Sequence, residues 1–154
     1  MDSNFRSEEM GMKKRVLFVC THNTARSQMA EAFLNALGKH QFEAESAGLE
    51  ARAINPLVVE VMKEIGYDLT WAKADSIFDF YKEGRLYDFV IYVCDKETET
   101  KCPIFPGIRR TLNWPFSDPG KLEGTREERL NETRKIRDEI KSRVKRWIEA
   151  ESVG

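Results

Sequence analysis

A single doubly wound α/β domain, four parallel strands in the order 2-1-3-4 with helices on both faces, is the fold this 154-residue sequence predicts. Three observations predict the doubly wound parallel architecture, and 2-1-3-4 is the order taken for such a sheet. Short apolar runs such as Val16-Leu17-Phe18-Val19 and Phe89-Val90-Ile91-Tyr92-Val93 have the character of strands buried on both faces. Between such runs lie segments whose apolar residues recur at helical spacing, and strands alternating with helices imply right-handed crossovers and a parallel sheet. The length suits one domain with a full hydrophobic core, so no second unit is needed.

Residues 1–13 are polar and aperiodic and read as a flexible extension, ahead of a domain over 14–150 and a tail over 151–154. The first strand, Arg15 to Val19, is apolar after its opening residue. A helix from about Ser27 to Leu37 places Met29, Ala30, Phe33, Leu34 and Leu37 on one stripe and ends at Gly38. Phe42 to Ala47 alternates as a second strand and stops at Gly48. Asn55-Pro56 opens a helix whose positions Leu57, Val58, Val61, Met62 and Ile65 are apolar until Gly66. A shorter helix spans Ser76 to Lys82, and Phe89 to Val93 is a third strand with Cys94 at its carboxyl end. The polar stretch Asp95 to Lys101 lacks apolar anchors and reads as a segment that rearranges at low cost. Arg110 to Trp114 is a weaker fourth strand. The last helix, Thr125 to about Glu149, aligns Leu130, Thr133, Ile136, Ile140, Val144 and Trp147 on one face.

Cys20-Thr21-His22-Asn23-Thr24-Ala25-Arg26-Ser27 joins the first strand to the first helix, a C-x5-R-S pattern. A loop entering a helix N-terminus aims unpaired backbone N–H groups at one spot, where the helix dipole adds positive potential. A tetrahedral anion fits there, with Arg26 gripping two of its oxygens and Cys20 held as a nucleophilic thiolate. Asn23 bridges across the loop. Ser27 caps the helix, or donates to the Cys20 thiolate, or does both. Asp118 before Pro119 is either a turn initiator or a general acid for a departing oxygen.

Ligands bind parallel sheets outside the carboxyl ends of the strands, which is where Cys20 and Cys94 both lie. In the order 2-1-3-4, strands 1 and 3 are neighbours about 4.8 Å apart. A modest loop movement then permits a Cys20–Cys94 disulfide, and a Cys94–Cys102 bridge closes a short loop. Composition excludes other classes. Lys and Arg number 25 against 26 Asp and Glu, so a net charge of −1 offers no general attraction to nucleic acid or to an anionic membrane. No apolar stretch approaches the ~20 residues of a membrane span, and the start lacks a signal-peptide core, which predicts a cytoplasmic protein. Three cysteines in a reducing compartment are reactive rather than structural.

The Cys20-to-Ala32 stretch, Ser46-Ala47-Gly48, Val93-Cys94 with Cys102-Pro103, and Phe116-Ser117-Asp118-Pro119 together resemble thioredoxin-coupled arsenate reductase, a branch of the low-molecular-weight tyrosine phosphatase fold. The resemblance covers residues 14 to about 150. It implies that Cys20 attacks arsenate, Cys94 attacks the arseno adduct and releases arsenite, and Cys102 attacks the Cys20–Cys94 disulfide. Thioredoxin then reduces Cys94–Cys102. It further implies Asp118 as the general acid, an oxyanion bound by residues 21–27, no required cofactor, and a structural potassium ion at Asn23, Glu31, Ser46 and Asp75. The chain departs from many relatives at His22 and Ala25, and its interval from Cys94 to Cys102 is one residue longer. Because histidine tolerates positive φ, His22 is compatible with the loop. A plain phosphatase is the rival reading, needing Cys20, Arg26 and Asp118 alone, but Gly120-Lys121-Leu122 supplies no aromatic platform for a phosphotyrosine ring. A non-enzymatic oxyanion or arsenite sensor leaves Arg26 and Asp118 without a task.

Overall fold

The computed structural model describes residues 13–153, so the extension read over 1–13 lies outside them except for Lys13. The elements are β1 (Lys14–Cys20), α1 (Arg26–Leu37), β2 (Phe42–Gly48), α2 (Pro56–Lys63), α3 (Ile77–Lys82), β3 (Phe89–Tyr92), α4 (Lys96–Thr100), β4 (Arg110–Asn113) and α5 (Arg126–Val153), with a 3-10 turn at Pro119–Lys121. The strands form one sheet in the order β2-β1-β3-β4. All three pairings are parallel, so every strand delivers its carboxyl end to the same edge. Register places Cys20 opposite Gly48 on one side and Val19 opposite Tyr92 on the other.

The apolar runs dictate this arrangement. β3 is buried at all four positions and β1 over its last five, as expected of central strands covered on both faces, while β4 is half-exposed at the edge. Helix α1 packs on β1, β2 and α5, and α2 packs on α5. Along α5, Leu130, Thr133, Ile136, Ile140, Val144 and Trp147 are all buried, and Trp147 stacks among Phe42, Phe89 and Trp114. Among the described residues no helix is long and apolar enough to cross a membrane.

Three readings of the sequence change. Leu37 is 41% exposed, so the stripe on α1 ends at Leu34; there Gly38 admits close packing, since a Cβ on it would lie 3.0 to 3.2 Å from Leu34, Phe42 and Ile148. Residues 151–153, set aside as tail, continue α5 because Glu151 pairs with Arg110 and the Ser152 hydroxyl donates to the Ile148 carbonyl at 2.7 Å. The polar stretch after Cys94 is not a loop but α4. Asp95 caps it by accepting from the Thr98 amide at 2.8 Å, with Glu97 and Glu99 in its first turn, where the helix dipole favours negative charge.

Candidate active site

Residues 21–25 turn between the end of β1 and the start of α1, and a second segment holds them in shape. The carbonyls of Cys20, Thr21, His22 and Thr24 accept from the amides of Leu49, Glu50, Arg52 and Asn55 at 3.3, 2.9, 3.2 and 3.0 Å. In a planar trans peptide the next N–H points opposite to the carbonyl. With these carbonyls drawn outward, the amides of Thr21, His22, Asn23 and Ala25 face the interior of the loop. The Asn23 amide accordingly donates to Cys20 Sγ at 3.1 Å. Ala25 occupies the N-cap of α1 with no side-chain cap, which leaves first-turn N–H groups open to an anion. The left-handed position is Asn23, at φ 55°, rather than His22, and asparagine is among the residues that adopt it most readily.

Gly48 makes the loop's close approach to β2 possible. A Cβ there would lie 2.6 Å from the Asn23 nitrogen, 2.7 Å from the His22 carbonyl carbon and 3.0 Å from the Thr21 oxygen, all of them backbone. The sequence marks Gly48 as a strand end; its contact with the loop is visible only across the β1–β2 pair.

Inside the loop, Cys20 is buried and its Sγ lies 2.8 Å from Ser27 Oγ, which donates to Asn23 Oδ1 at 2.7 Å. Ser27 is the second residue of α1, so it does not cap the helix; its hydroxyl contacts both the sulfur and Asn23, and its single hydrogen serves one of them at a time. Asn23 also bridges to β2 through Nδ2 and the Ser46 carbonyl at 3.4 Å. Arg26 is 8% exposed, with Nη1 donating to the Phe116 carbonyl at 3.1 Å and Nη2 3.5 Å from Asp118 Oδ2. Among the described residues its buried Nε has no hydrogen-bond partner, a donor an oxyanion would satisfy. Asp118 Oδ1 accepts from the Gly120 amide at 2.8 Å, so this carboxylate starts the turn and also faces the arginine. His22 turns toward the rim, 3.9 Å from Glu50, which Arg52 also pairs at 3.0 Å.

Cys94 and Cys102 join this group, and all three cysteines are free. Val93 donates its amide to the Val19 carbonyl at 2.8 Å, which sets Cys94 just past Cys20 on the neighbouring strand. Burial first, then the Cys20 charge, pushes the Cys94 thiol up to about 12, with Arg26 opposing. Burial and Glu99 push the half-buried Cys102 thiol up to about 11. The Cys102 thiol donates to the Thr98 carbonyl at 3.4 Å.

Behind the loop, the Ser46 hydroxyl donates to Glu31, and burial raises that carboxyl to about 7, with Glu45 and Asp75 adding like charge. Three crowded carboxyl groups beside the Ser46 hydroxyl form an acidic oxygen cluster of the kind that fits a hard monovalent cation, while Asn23 turns Nδ2 to the Ser46 carbonyl and Oδ1 to Ser27. Sequence reasoning missed the 49–55 backbone, the Phe116 carbonyl and α4. Only for α4 was there a local signal, the Asp95 cap followed by acidic residues.

Residues 15–153 match the family described as low molecular weight phosphotyrosine protein phosphatase. An arsenate reductase of Shouchella clausii is 41% identical over 142 residues, covering 89% of this chain and 96% of that protein. Among solved structures, an arsenate reductase in the phosphate binding state superposes with a TM-score of 0.71 at 30% identity, over 89% of this chain and 98% of that one. A thioredoxin-dependent arsenate reductase of Corynebacterium glutamicum matches with a TM-score of 0.60 at 26% identity, over 92% of this chain and 69% of that one.

Proposed function

This chain belongs to the low molecular weight phosphotyrosine protein phosphatase family, and from that premise we propose that it reduces arsenate to arsenite through Cys20, Cys94 and Cys102. The observation that carries the reductase reading over the phosphatase one is the set of three free thiols, with Cys94 at the end of the strand beside that of Cys20. Hydrolysis of a phosphate ester needs Cys20, Arg26 and Asp118 and has no use for the other two.

The Cys20 thiolate attacks arsenic(V) of an arsenate seated on the loop amides and Arg26. Asp118 gives its proton to the departing oxygen, which leaves as water. The Cys94 thiolate then attacks Cys20 Sγ. The S–As bond breaks with its electron pair passing to arsenic, so arsenite departs as arsenic(III) and two thiols have become one disulfide. Cys102 attacks Cys94 Sγ and returns Cys20 as a thiolate, with no net redox change. A dithiol protein of the thioredoxin type reduces Cys94–Cys102. The thiol environments support this order. Burial keeps Cys94 protonated and the charge on Cys20 adds to it; the second contribution is lost once Cys20 is bonded to arsenic.

We also assign a potassium ion to Asn23, Glu31, Ser46 and Asp75, where it would neutralise the crowded carboxylates and stiffen the wall of the loop through Asn23 and Ser46. Three reactive thiols suit the reducing cytoplasm.

The test is arsenate-dependent NADPH consumption with thioredoxin and its reductase, run beside aryl phosphate hydrolysis. Cys94→Ser should stall reduction while keeping aryl phosphate cleavage, and Cys102→Ser should stop after one turnover with Cys20–Cys94 trapped. Repeated turnover by both variants at the wild-type rate would transfer the protein to the phosphatase reading.

A further inference from the structure

The 49–55 backbone draws the carbonyls of Cys20, Thr21, His22 and Thr24 outward and, among the described residues, leaves out that of Asn23. Gln28 takes it. This third residue of α1 is 5% exposed, and its Nε2 donates to the Asn23 carbonyl at 3.2 Å and to the Lys73 carbonyl at 3.1 Å. A primary amide has two N–H donors, so both are engaged, and two carbonyl neighbours require the nitrogen rather than the oxygen to face them. Lys73 lies behind the loop, in the segment whose Asp75 carbonyl accepts from the Gly48 amide at 2.9 Å. With the Asn23 carbonyl drawn to that side, the trans peptide turns the Thr24 N–H into the loop, between the inward amides of Asn23 and Ala25. Local backbone preference does not fix this peptide. Asn23 stands in the left-handed region at φ 55°, a conformation used by single residues and not continued by their neighbours.

We propose that Gln28 is a positioning residue for oxyanion binding: its side-chain amide holds the Asn23–Thr24 peptide so that the Thr24 N–H completes the ring of loop donors, and ties that peptide to the segment over Lys73. This role belongs to the oxyanion loop of the function proposed above and needs neither Cys94 nor Cys102. Its effect on an anion is asymmetric. One orientation of the peptide offers the anion an N–H, and the reverse offers a carbonyl oxygen, so a donor lost is replaced by an acceptor that repels. The tie to Lys73 completes a clamp, because the same segment holds Gly48 through Asp75, and Gly48 lies directly under the Asn23 nitrogen. Asn23 is thus fixed from two sides, by the bare backbone of Gly48 and by the Gln28 amide. A comparison for this pair of bonds exists further along the same helix. Asn35 Nδ2 donates to the Ala44 carbonyl at 3.0 Å and its Oδ1 accepts from the Ala44 amide at 2.8 Å, joining α1 to β2 away from the loop.

The experiment compares reduced wild type, Gln28→Met and Asn35→Leu, with inorganic phosphate as the probe. Methionine keeps the length and volume of the side chain without a donor, and Asn35→Leu removes an equal number of bonds from α1 at a distance from the anion. Calorimetric titration should show phosphate bound at least about tenfold more weakly by Gln28→Met, the size expected for one lost charge-assisted hydrogen bond, and as in wild type by Asn35→Leu. In amide proton–nitrogen spectra of wild type, phosphate should shift Thr24 together with His22 and Ala25. At saturating phosphate, Gln28→Met should lose the Thr24 shift and keep that of His22. A wild-type Thr24 amide that ignores phosphate while His22 and Ala25 respond overturns the role without any variant. So does a smaller loss of affinity in Gln28→Met, and so does an equal loss in Asn35→Leu, which would make the effect one of stability alone. If no loop amide of wild type responds to phosphate, the oxyanion site itself fails, and the proposed function with it.

Discussion

Arg26 leaves one donor unused. Nη1 is committed to the Phe116 carbonyl and Nη2 leans toward Asp118, while Nε is buried without a partner. A planar guanidinium holds its backbone acceptor while presenting another donor to an oxyanion in fixed geometry; an ammonium has donors but lacks that planar fork. Arg26→Lys should therefore lose at least tenfold in kcat/KM for arsenate, about 1.4 kcal/mol of transition-state stabilisation, in the thioredoxin-coupled assay. Retention of most of that activity would remove the arginine from the mechanism. The two other thiols carry their own signature. With Cys94 raised to about 12 and Cys102 to about 11, mainly by burial, both are protonated in the resting protein at neutral pH. Iodoacetamide labelling of each, followed by mass spectrometry, should rise steeply with pH through the alkaline range. A labelling rate that levels off near pH 8 would contradict these environments.

At the scale of elements, an oxyanion site arises here from three segments rather than one. The 21–25 loop supplies N–H groups, α1 supplies its open first turn, and the backbone of 49–55 fixes the loop's carbonyls outward. Their meeting point is Gly48, where the end of β2 touches the loop. Gly48→Ala forces backbone against backbone at 2.6 to 2.7 Å, so something must shift. A stability loss of about 1–3 kcal/mol is the expected cost of such overpacking. Activity should fall further than stability, because misplacing a reacting group by about 1 Å can cost on the order of a hundredfold in rate. Chemical denaturation and steady-state kinetics on the one variant check both halves, and unaltered turnover would show that the loop tolerates displacement.

For the whole molecule, stability and the site meet at Glu31. Its carboxyl is raised to about 7, first by burial, so the folded state favours the protonated form. The sign follows: stability is fully present below the unfolded value near 4.5 and is lost as pH rises through about 7. A shift of that size corresponds to up to about 3 kcal/mol. In potassium-free buffer, denaturant midpoints should fall between pH 5 and pH 8, and Glu31→Gln should flatten the slope. Added potassium should restore the midpoint at pH 8 in wild type and not in Glu31→Gln. A wild-type midpoint indifferent to pH would refute the buried-acid account, and one indifferent to potassium would refute the ion.

What the sequence determined by itself was whatever depends on neighbours along the chain. Wholly apolar runs require strands covered on both faces, helical periodicity requires crossovers between them, and Cys20 six positions before Arg26 requires a loop that closes on one point. The alternation of parallel strands with helices and the buried face of α5 were legible in this way, whereas the order β2-β1-β3-β4 was an arrangement assumed for such a sheet. The tertiary structure alone decided what depends on contact across strands. It assigned the left-handed position to Asn23, set Gly48 under the loop, gave Ser27 to the sulfur instead of the helix cap, and tied Thr98 to Thr21. Helix α4 shows why the two differ. Five polar residues lack the periodicity that announces a helix and the length to sustain one, and this segment becomes helical because Asp95, Asn113 and Thr21 hold it from three sides.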